Sequence, residues 1–430
     1  MRSVQSPLSH CKFFTWRPIL GAAVLVTAIT GLFELYRAGR FFFLPLAEKP
    51  GLPSSVSVTD ESQALKRLTE LPDAAAGIPQ SAVEIREEMD RLADWLRRWY
   101  PNTQDAGIIA GRLEYHLGNM DAAEDAFRGV LRLDPENVHA HHGLALIDVA
   151  RSRFEQAVPH FQRVIARSPR AIGPMLELAD ALIRTGRIDE AVDLLERDFP
   201  SEIESVWRFQ MLGQCYLHRG DLQRAQIMYE LALLLEPEDA VALTGLVTVS
   251  SRLHHRDQAA AFTERLRRVR EREREAGRET RKIHDDAAAL AQKLAEGYAA
   301  AGRLCAVQGD DQPAERLWRR AVGLRPDSWE AHRDLAEWYL KRPDRVSEAV
   351  AHAEAAVAAS PNGATHFLLA RAYRAAGRSQ ESLDAVRRAL AGGERRPEAL
   401  ALYRQLTEGR EQNAADHHFS ELPSGSPQRP

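Results

Sequence analysis

The chain has 430 residues, 44% of them hydrophobic and 27% charged, and its 57 Lys and Arg against 61 Asp and Glu give a net charge of -4. That balance excludes a wholly disordered chain, a polytopic membrane protein and the broad basic field of a nucleic-acid binder. The three cysteines, Cys11, Cys215 and Cys305, form no CxxC pair and no Cys/His cluster, which excludes a disulfide scaffold and a Cys-based zinc site.

After a short N-terminal tail (residues 1–15), Pro18 to Phe33 gives 16 consecutive uncharged residues. A helix of about 20 such residues crosses the hydrocarbon. Trp16 and Arg17 on one side, and Tyr36, Arg37, Arg40 and Phe41-Phe42-Phe43 on the other, suit the headgroup layer, and Glu34 can snorkel to it. Residues 16–44 are therefore read as one single-pass transmembrane anchor. A cleaved leader is the alternative, but LYRAGR is a poor cleavage site. Basic residues tie across the segment (Arg2, Lys12 and Arg17 against Arg37, Arg40 and Lys49). The free amino group tips the orientation towards a cytoplasmic N-terminus and an extracytoplasmic soluble domain.

Residues 45–60, rich in Pro, Ser and Gly, read as a flexible linker. Residues 61–100 are expected to hold helices near Asp60–Leu71 and Ser81–Tyr100 that pack on the body of the chain after residue 100. The second is amphipathic, with Val83, Ile85, Met89, Leu92, Trp95 and Leu96 on one side.

Beyond it the chain repeats. Pro101, Pro135 and Pro169 lie 34 residues apart, and Pro237 comes after a further 68. A fixed period of this size marks stacked supersecondary units. The chemistry repeats with it. The unit ending at Pro237 has Leu212-Gly213, Tyr216, Gly220, Ala225, Tyr229 and Ala232; the unit ending at Pro326 has Ala301-Gly302, Cys305, Gly309, Ala314, Trp318 and Ala321 at the same offsets. Residues 104–137 give Ala110-Gly111, Ala123, Phe127, Val130 and Pro135, and residues 138–171 give Leu144-Ala145, Ala157, Phe161, Val164 and Pro169.

These residues resemble the tetratricopeptide repeat, a 34-residue helix-turn-helix unit. Its two helices approach closely where Gly or Ala meets a small residue, a bulky residue one turn later fills the gap to the next unit, and Pro stops the second helix. The resemblance implies an all-α superhelix (solenoid) of about eight repeats over residues 101–396, stacked in chain order, with a capping helix over 397–411. The last stretch, 412–430, has no periodicity and is expected to be disordered. One place breaks the period: from Arg265 to Asp286 the sequence is Arg- and Glu-rich and the next repeat starts about 21 residues late. A charged helical extension over 265–286, turning near Ala276-Gly277 and held by Glu/Arg pairs, is the expectation there.

No Walker loop, GxSxG or HExxH occurs, so no catalytic residue, metal ligand set or cofactor site is assigned, and the chain is not read as an enzyme. His139 and His142, three apart on one helical face, are the most metal-like feature. In proteins of this resemblance the first helices line a concave wall that holds a partner peptide. Carried over by position, that wall comprises Arg112, Tyr115, His116, His139, His142, Asp180, Arg184, Trp207, Gln210, Gln214 and His218. Later repeats add Thr244, Thr248, Arg252, Arg303, Arg333, Glu337, Phe367, Arg371 and Arg374. The clamp that grips chaperone C-termini needs Lys and Asn where this chain has Ile108 and Arg112. The function expected is a membrane-anchored scaffold binding a protein or peptide, with no nucleic-acid partner. A self-associating component of an envelope assembly is the alternative, and a metal-responsive sensor using His139 and His142 is a third reading.

Overall fold

The computed structural model describes residues 69–72, 77–79, 81–198, 205–280 and 286–420. The expected anchor (16–44), the linker (45–60), most of the first helix of 61–100 and the last ten residues lie outside that set. Among the described residues no helix is long and apolar enough to cross a membrane.

Helix α1 (Ala82–Trp99) precedes a series of hairpins: α2 (Gln104–Leu117) with α3 (Met120–Leu133), α4 (Val138–Ala150) with α5 (Phe154–Arg167), and α6 (Ile172–Arg184) with α7 (Ile188–Asp193). Next come α8 (Val206–Arg219) with α9 (Leu222–Leu235) and α10 (Ala240–Arg252) with α11 (Arg256–Thr280). The second half holds α12 (Asp286–Gln308) with α13 (Asp311–Leu324), α14 (Trp329–Leu340) with α15 (Val346–Ala359), α16 (Gly363–Ala375) with α17 (Ser379–Ala391), and α18 (Pro397–Ser420). The described residues contain no strand.

The repeat motif accounts for these boundaries. First helices start at caps whose side chains accept an amide hydrogen bond three residues on, at Asn137, Ser205, Asp239, Ser328 and Asn362. The small positions are close approaches: a Cβ on Gly213 would sit 2.7 Å from the Tyr229 ring, and one on Gly245, in the next repeat, 2.3 Å from it. Tyr229 is thus clamped between two backbones. The extra residue in the Lys341–Arg345 turn is absorbed by a 3-10 turn over Pro343–Arg345.

Four expectations need correction. Helix α11 runs unbroken through Ala276-Gly277, so the chain does not turn there. The terminal helix continues to Ser420, beyond the expected end of the capping helix at residue 411. Val83 is 62% exposed, outside the buried face formed by Ile85, Met89, Leu92, Trp95 and Leu96. The fourth correction concerns the whole stack.

Repeats do not stack in chain order throughout. Helix α12 makes at most marginal contact with its predecessor α11 and packs instead on α1 and α2. One buried core joins Ile85, Met89, Leu92 and Leu113 from the start of the chain to Leu294, Tyr298, Leu304 and Trp318. As the chain advances from Tyr100 to Leu113, its partners recede from Cys305 to Gly297, so α2 and α12 cross antiparallel. Two arms of stacked hairpins, α2–α11 and α12–α18, therefore diverge from a shared helix, α1. Charge complements the apolar contact. Arg320 of α13 grips Glu88 of α1, Tyr298 donates to the same carboxylate at 2.8 Å, and Arg316 donates to the carbonyls of Leu71 and Pro72.

The first two hairpins of each arm are near copies. Ala110-Gly111-Arg112-Leu113 recurs as Ala301-Gly302-Arg303-Leu304. His141 and His160 approach Nδ1 to Nδ1 at 2.8 Å, with His141 Nε2 2.9 Å from the Pro135 carbonyl; His332, His352 and Pro326 repeat both distances. A carbonyl only accepts, so in the neutral pairs the first His donates from Nε2 and its Nδ1 accepts from the second. Burial and the neighbouring imidazole push His160 and His352 down to about 4. Arg153 and Arg345 likewise reach back to Glu124 and Glu315 of the preceding hairpin.

Candidate functional site

The wall predicted from repeat positions is formed by α2, α4, α6, α8 and α10 in one arm and by α12, α14 and α16 in the other. Its residues divide into three groups. The first is exposed. Trp207 is 38% exposed and Val241, at the same position of the next repeat, is 55% exposed. Gln214, His218, Arg252, Glu337, Arg371 and Arg374 are exposed as well. Arg184 stacks on the Phe154 ring and bonds Asp180 at 2.7 Å, one turn behind it on α6.

The second group is consumed by the fold. Gln210 is buried and donates at 2.7 Å to Asp239, the cap of α10, so it joins two repeats and is not a wall residue. Phe367 is buried in the core beneath the Arg396 guanidinium. Thr244, although exposed, and the half-buried Thr248 return their hydroxyls to carbonyls of their own helix. His142 meets the Glu177 carboxylate at 2.7 Å. Among the described residues, no group of three or more His, Cys, Asp or Glu could hold a metal ion.

The third group gathers where the arms meet. Arg112 and His116 of α2 share a shallow hollow with Lys293, Glu296 and Gly297 of α12. Arg112 lies 4.0 Å from Glu296, and Lys293 lies 3.3 Å from the same carboxylate. Two turns beyond Glu296 on α12, Arg303 bonds Asp334 at 2.6 Å, and Arg333 bonds that carboxylate at 2.7 Å. Burial, then the charges of Lys293 and Arg112, push His116 down to about 3, so it is neutral at physiological pH. Burial and Arg112 also lower His139. Arg112 itself is lowered, by burial and then by the like charge of Arg303. Tyr115 is half-buried and raised by burial.

Sequence reasoning missed Lys293 and Glu296. Lys293 precedes the repeat frame, and neither residue faces α2 in a stack built in chain order. The recurrence of Ala-Gly-Arg-Leu was the available signal, since it marks α2 and α12 as equivalent helices.

The hairpins, their small-to-large contacts and their terminal prolines define a tetratricopeptide-repeat solenoid. Matches to the tetratricopeptide repeat family cover residues 90–138, 148–200, 209–239, 300–364 and 344–397, more than half of the chain, and the chain belongs to that family. Among curated relatives, cellulose synthase operon protein C of Pseudomonas fluorescens (strain SBW25) is 27% identical over 140 residues, 31% of this chain and 11% of that protein. This chain therefore spans only a small part of that relative. Among solved structures, MamA is 20% identical (TM-score 0.36), covering 38% of this chain and 96% of its own. Pseudomonas aeruginosa PilF is 19% identical (TM-score 0.35), covering 54% and 97%. YrrB, described as having an unusual peptide-binding site, is 16% identical (TM-score 0.23), covering 50% and 95%. These are likenesses of the repeat.

Proposed function

We propose that the protein is a scaffold whose first arm holds a segment of a partner protein along its concave wall, anchored at Trp207. The supporting observation is the pair Trp207 and Val241, two large apolar side chains left 38% and 55% exposed at one repeat position of successive hairpins. An exposed aromatic flanked by amide, imidazole and Arg groups has the composition of a binding hot spot. In this reading residues 16–44 tether the wall to a membrane, with the repeats outside the cytoplasm, and raise its effective concentration for neighbours there. The protein holds its partner and does not transform it.

The test is proximity labelling from the full-length chain, comparing wild type with a Trp207→Ala/Val241→Ser variant. Loss of a discrete set of labelled neighbours in the variant is the expected result. Identical labelling by both proteins removes the wall assignment.

A second reading, self-association into a larger assembly, is favoured by one feature of the convex side. Helix α9 exposes Ile227 (52%) and Leu234 (77%) seven residues apart on one face. Light scattering across a hundredfold concentration range distinguishes the two readings. A Leu234→Glu change should lower the mass only if that face joins copies.

A further inference from the structure

Helix α11 runs back along α10 and then outgrows it. Leu266 and Val269 bury against Leu243, Arg270 reaches the Thr244 hydroxyl at 3.5 Å, and Arg272 bonds Glu238 at 2.6 Å, just before α10 begins. Residues 270–275 are all exposed. Both helices rise equally per residue, so Arg274 stands level with the first turn of α10, which carries Val241. It also shares a face with Arg270, four residues before it. Val241 and Thr244, three residues apart on α10, are exposed as well. The two arginines therefore flank the first-arm wall at the end where Val241 and its repeat equivalent Trp207 lie.

The neighbouring arginines of α11 are engaged. Arg265 donates to the Pro237 carbonyl, Arg267 and Arg268 share Glu264, Arg267 also holds Glu271, and Arg272 takes Glu238. Asp239, at the start of α10, is occupied by Gln210 and the Ala242 amide. Glu273 continues the stripe of Leu266 and Val269, seven and four residues before it. Among the described residues no carboxylate pairs with Arg270 or Arg274. Like charges one turn apart on a helix are mildly destabilising, and nothing described relieves this pair.

We propose that Arg270 and Arg274 take the carboxylates of an acidic run in the partner segment held by the first-arm wall. That segment then carries a large apolar residue for Trp207 and Val241, with Asp or Glu beside it. The inference rests on the wall reading and adds the chemistry of the partner to it. A guanidinium suits the task because its fork meets a carboxylate through two parallel hydrogen bonds. Glu271, Glu273 and Glu275, interleaved on the same helix, cancel its field at a distance. That disfavours an extended polyanion, whether nucleic acid or anionic membrane, and leaves pairing at close range.

The experiment is a selection of random phage-displayed peptides on the full-length chain, as wild type, Arg270→Glu/Arg274→Glu and Trp207→Ala/Val241→Ser. Wild type is expected to enrich peptides with a large apolar residue close to Asp or Glu. The charge-reversed protein should keep the apolar preference and exchange Asp and Glu for Lys and Arg, a switch that damaged folding cannot produce. Trp207→Ala/Val241→Ser should lose the apolar preference. By fluorescence anisotropy, the best wild-type peptide should bind about fivefold more weakly to Arg270→Gln/Arg274→Gln and weaken further with added salt. Enrichment of apolar residues without acidic ones overturns the assignment and leaves the wall reading standing. An unchanged acidic preference in the charge-reversed protein also overturns it, as does displacement of the peptide by equimolar oligothymidylate or by phosphatidylserine vesicles. A wild type that enriches no peptide removes both readings.

Discussion

Arg320 and Glu88 meet through two parallel hydrogen bonds of 2.8 Å although 232 residues separate them. Both side chains are almost fully buried, at 2% and 4% exposure, and Tyr298 donates a third bond to the carboxylate. A single contact thus ties α1 to both helices of the hairpin that opens the second arm. Removing one member strands the other charge in the core. Arg320→Ala is expected to cost roughly 3–5 kcal/mol, whereas an Arg320→Met/Glu88→Leu pair should recover most of the loss. Urea unfolding of the three proteins checks this; equal stability of Arg320→Ala and wild type would contradict the described junction.

Gly297 offers an independent handle on the same contact. A Cβ at this position would lie 2.9 Å from the Leu113 Cδ2 methyl and 3.5 Å from that of Leu92, so any side chain requires Leu113 to move. Gly297→Leu is expected to wedge α2 from α12 and let the arms separate while each keeps its helices. Small-angle scattering should then report a larger radius of gyration with unchanged far-ultraviolet dichroism. A radius equal to that of wild type would mean that the crossing is not as close as described.

Tyr229 tests the packing rule within one arm. Its ring is held between Gly213 and Gly245, the latter with a would-be Cβ 2.3 Å away. Overpacking there has no flexible chain end to displace, so Gly245→Ala should destabilise by about 1–3 kcal/mol. Adding Tyr229→Leu should return part of that loss. Thermal unfolding of the single and double variants is the measurement.

The twin histidine pairs set an acid limit. His160 and His352 sit at about 4 in the folded protein, below the ordinary imidazole value near 6.5. Between those limits the unfolded chain binds protons that the folded chain refuses. The contribution of these two rings to stability should therefore fall as pH drops from about 6.5 towards 4 and level off below, by on the order of 1–2 kcal/mol per ring after allowance for partial exposure. A His160→Asn/His352→Asn variant should show a shallower fall over that window. An equally steep fall in the variant would assign the effect to other groups.

Much of this molecule is legible in its order of residues. The prolines at 34-residue spacing, the Ala-Gly pairs and the aromatic residue a turn later fix each hairpin, because helix termination and close packing are local events. Wall positions derive from the same frame, and Trp207, Gln214 and His218 are exposed where the frame puts them. Gln210 and Phe367 depart from it, since one reaches a neighbouring cap and the other lies beneath the Arg396 guanidinium.

What the amino-acid order determined alone is the hairpin and its repetition. Which hairpin lies beside which was decided only in three dimensions. The charged stretch after Val269 supplies no apolar face for a following repeat, so α12 is left with a buried stripe of Leu294 and Tyr298 and no preceding hairpin to cover it. Helix α1 has matching apolar residues and a carboxylate at Glu88. Burying those two faces together outweighs the entropy of closing about 200 residues of chain, a cost that grows only logarithmically with loop length. No local pattern records such a choice, and the hollow at Arg112 is its consequence.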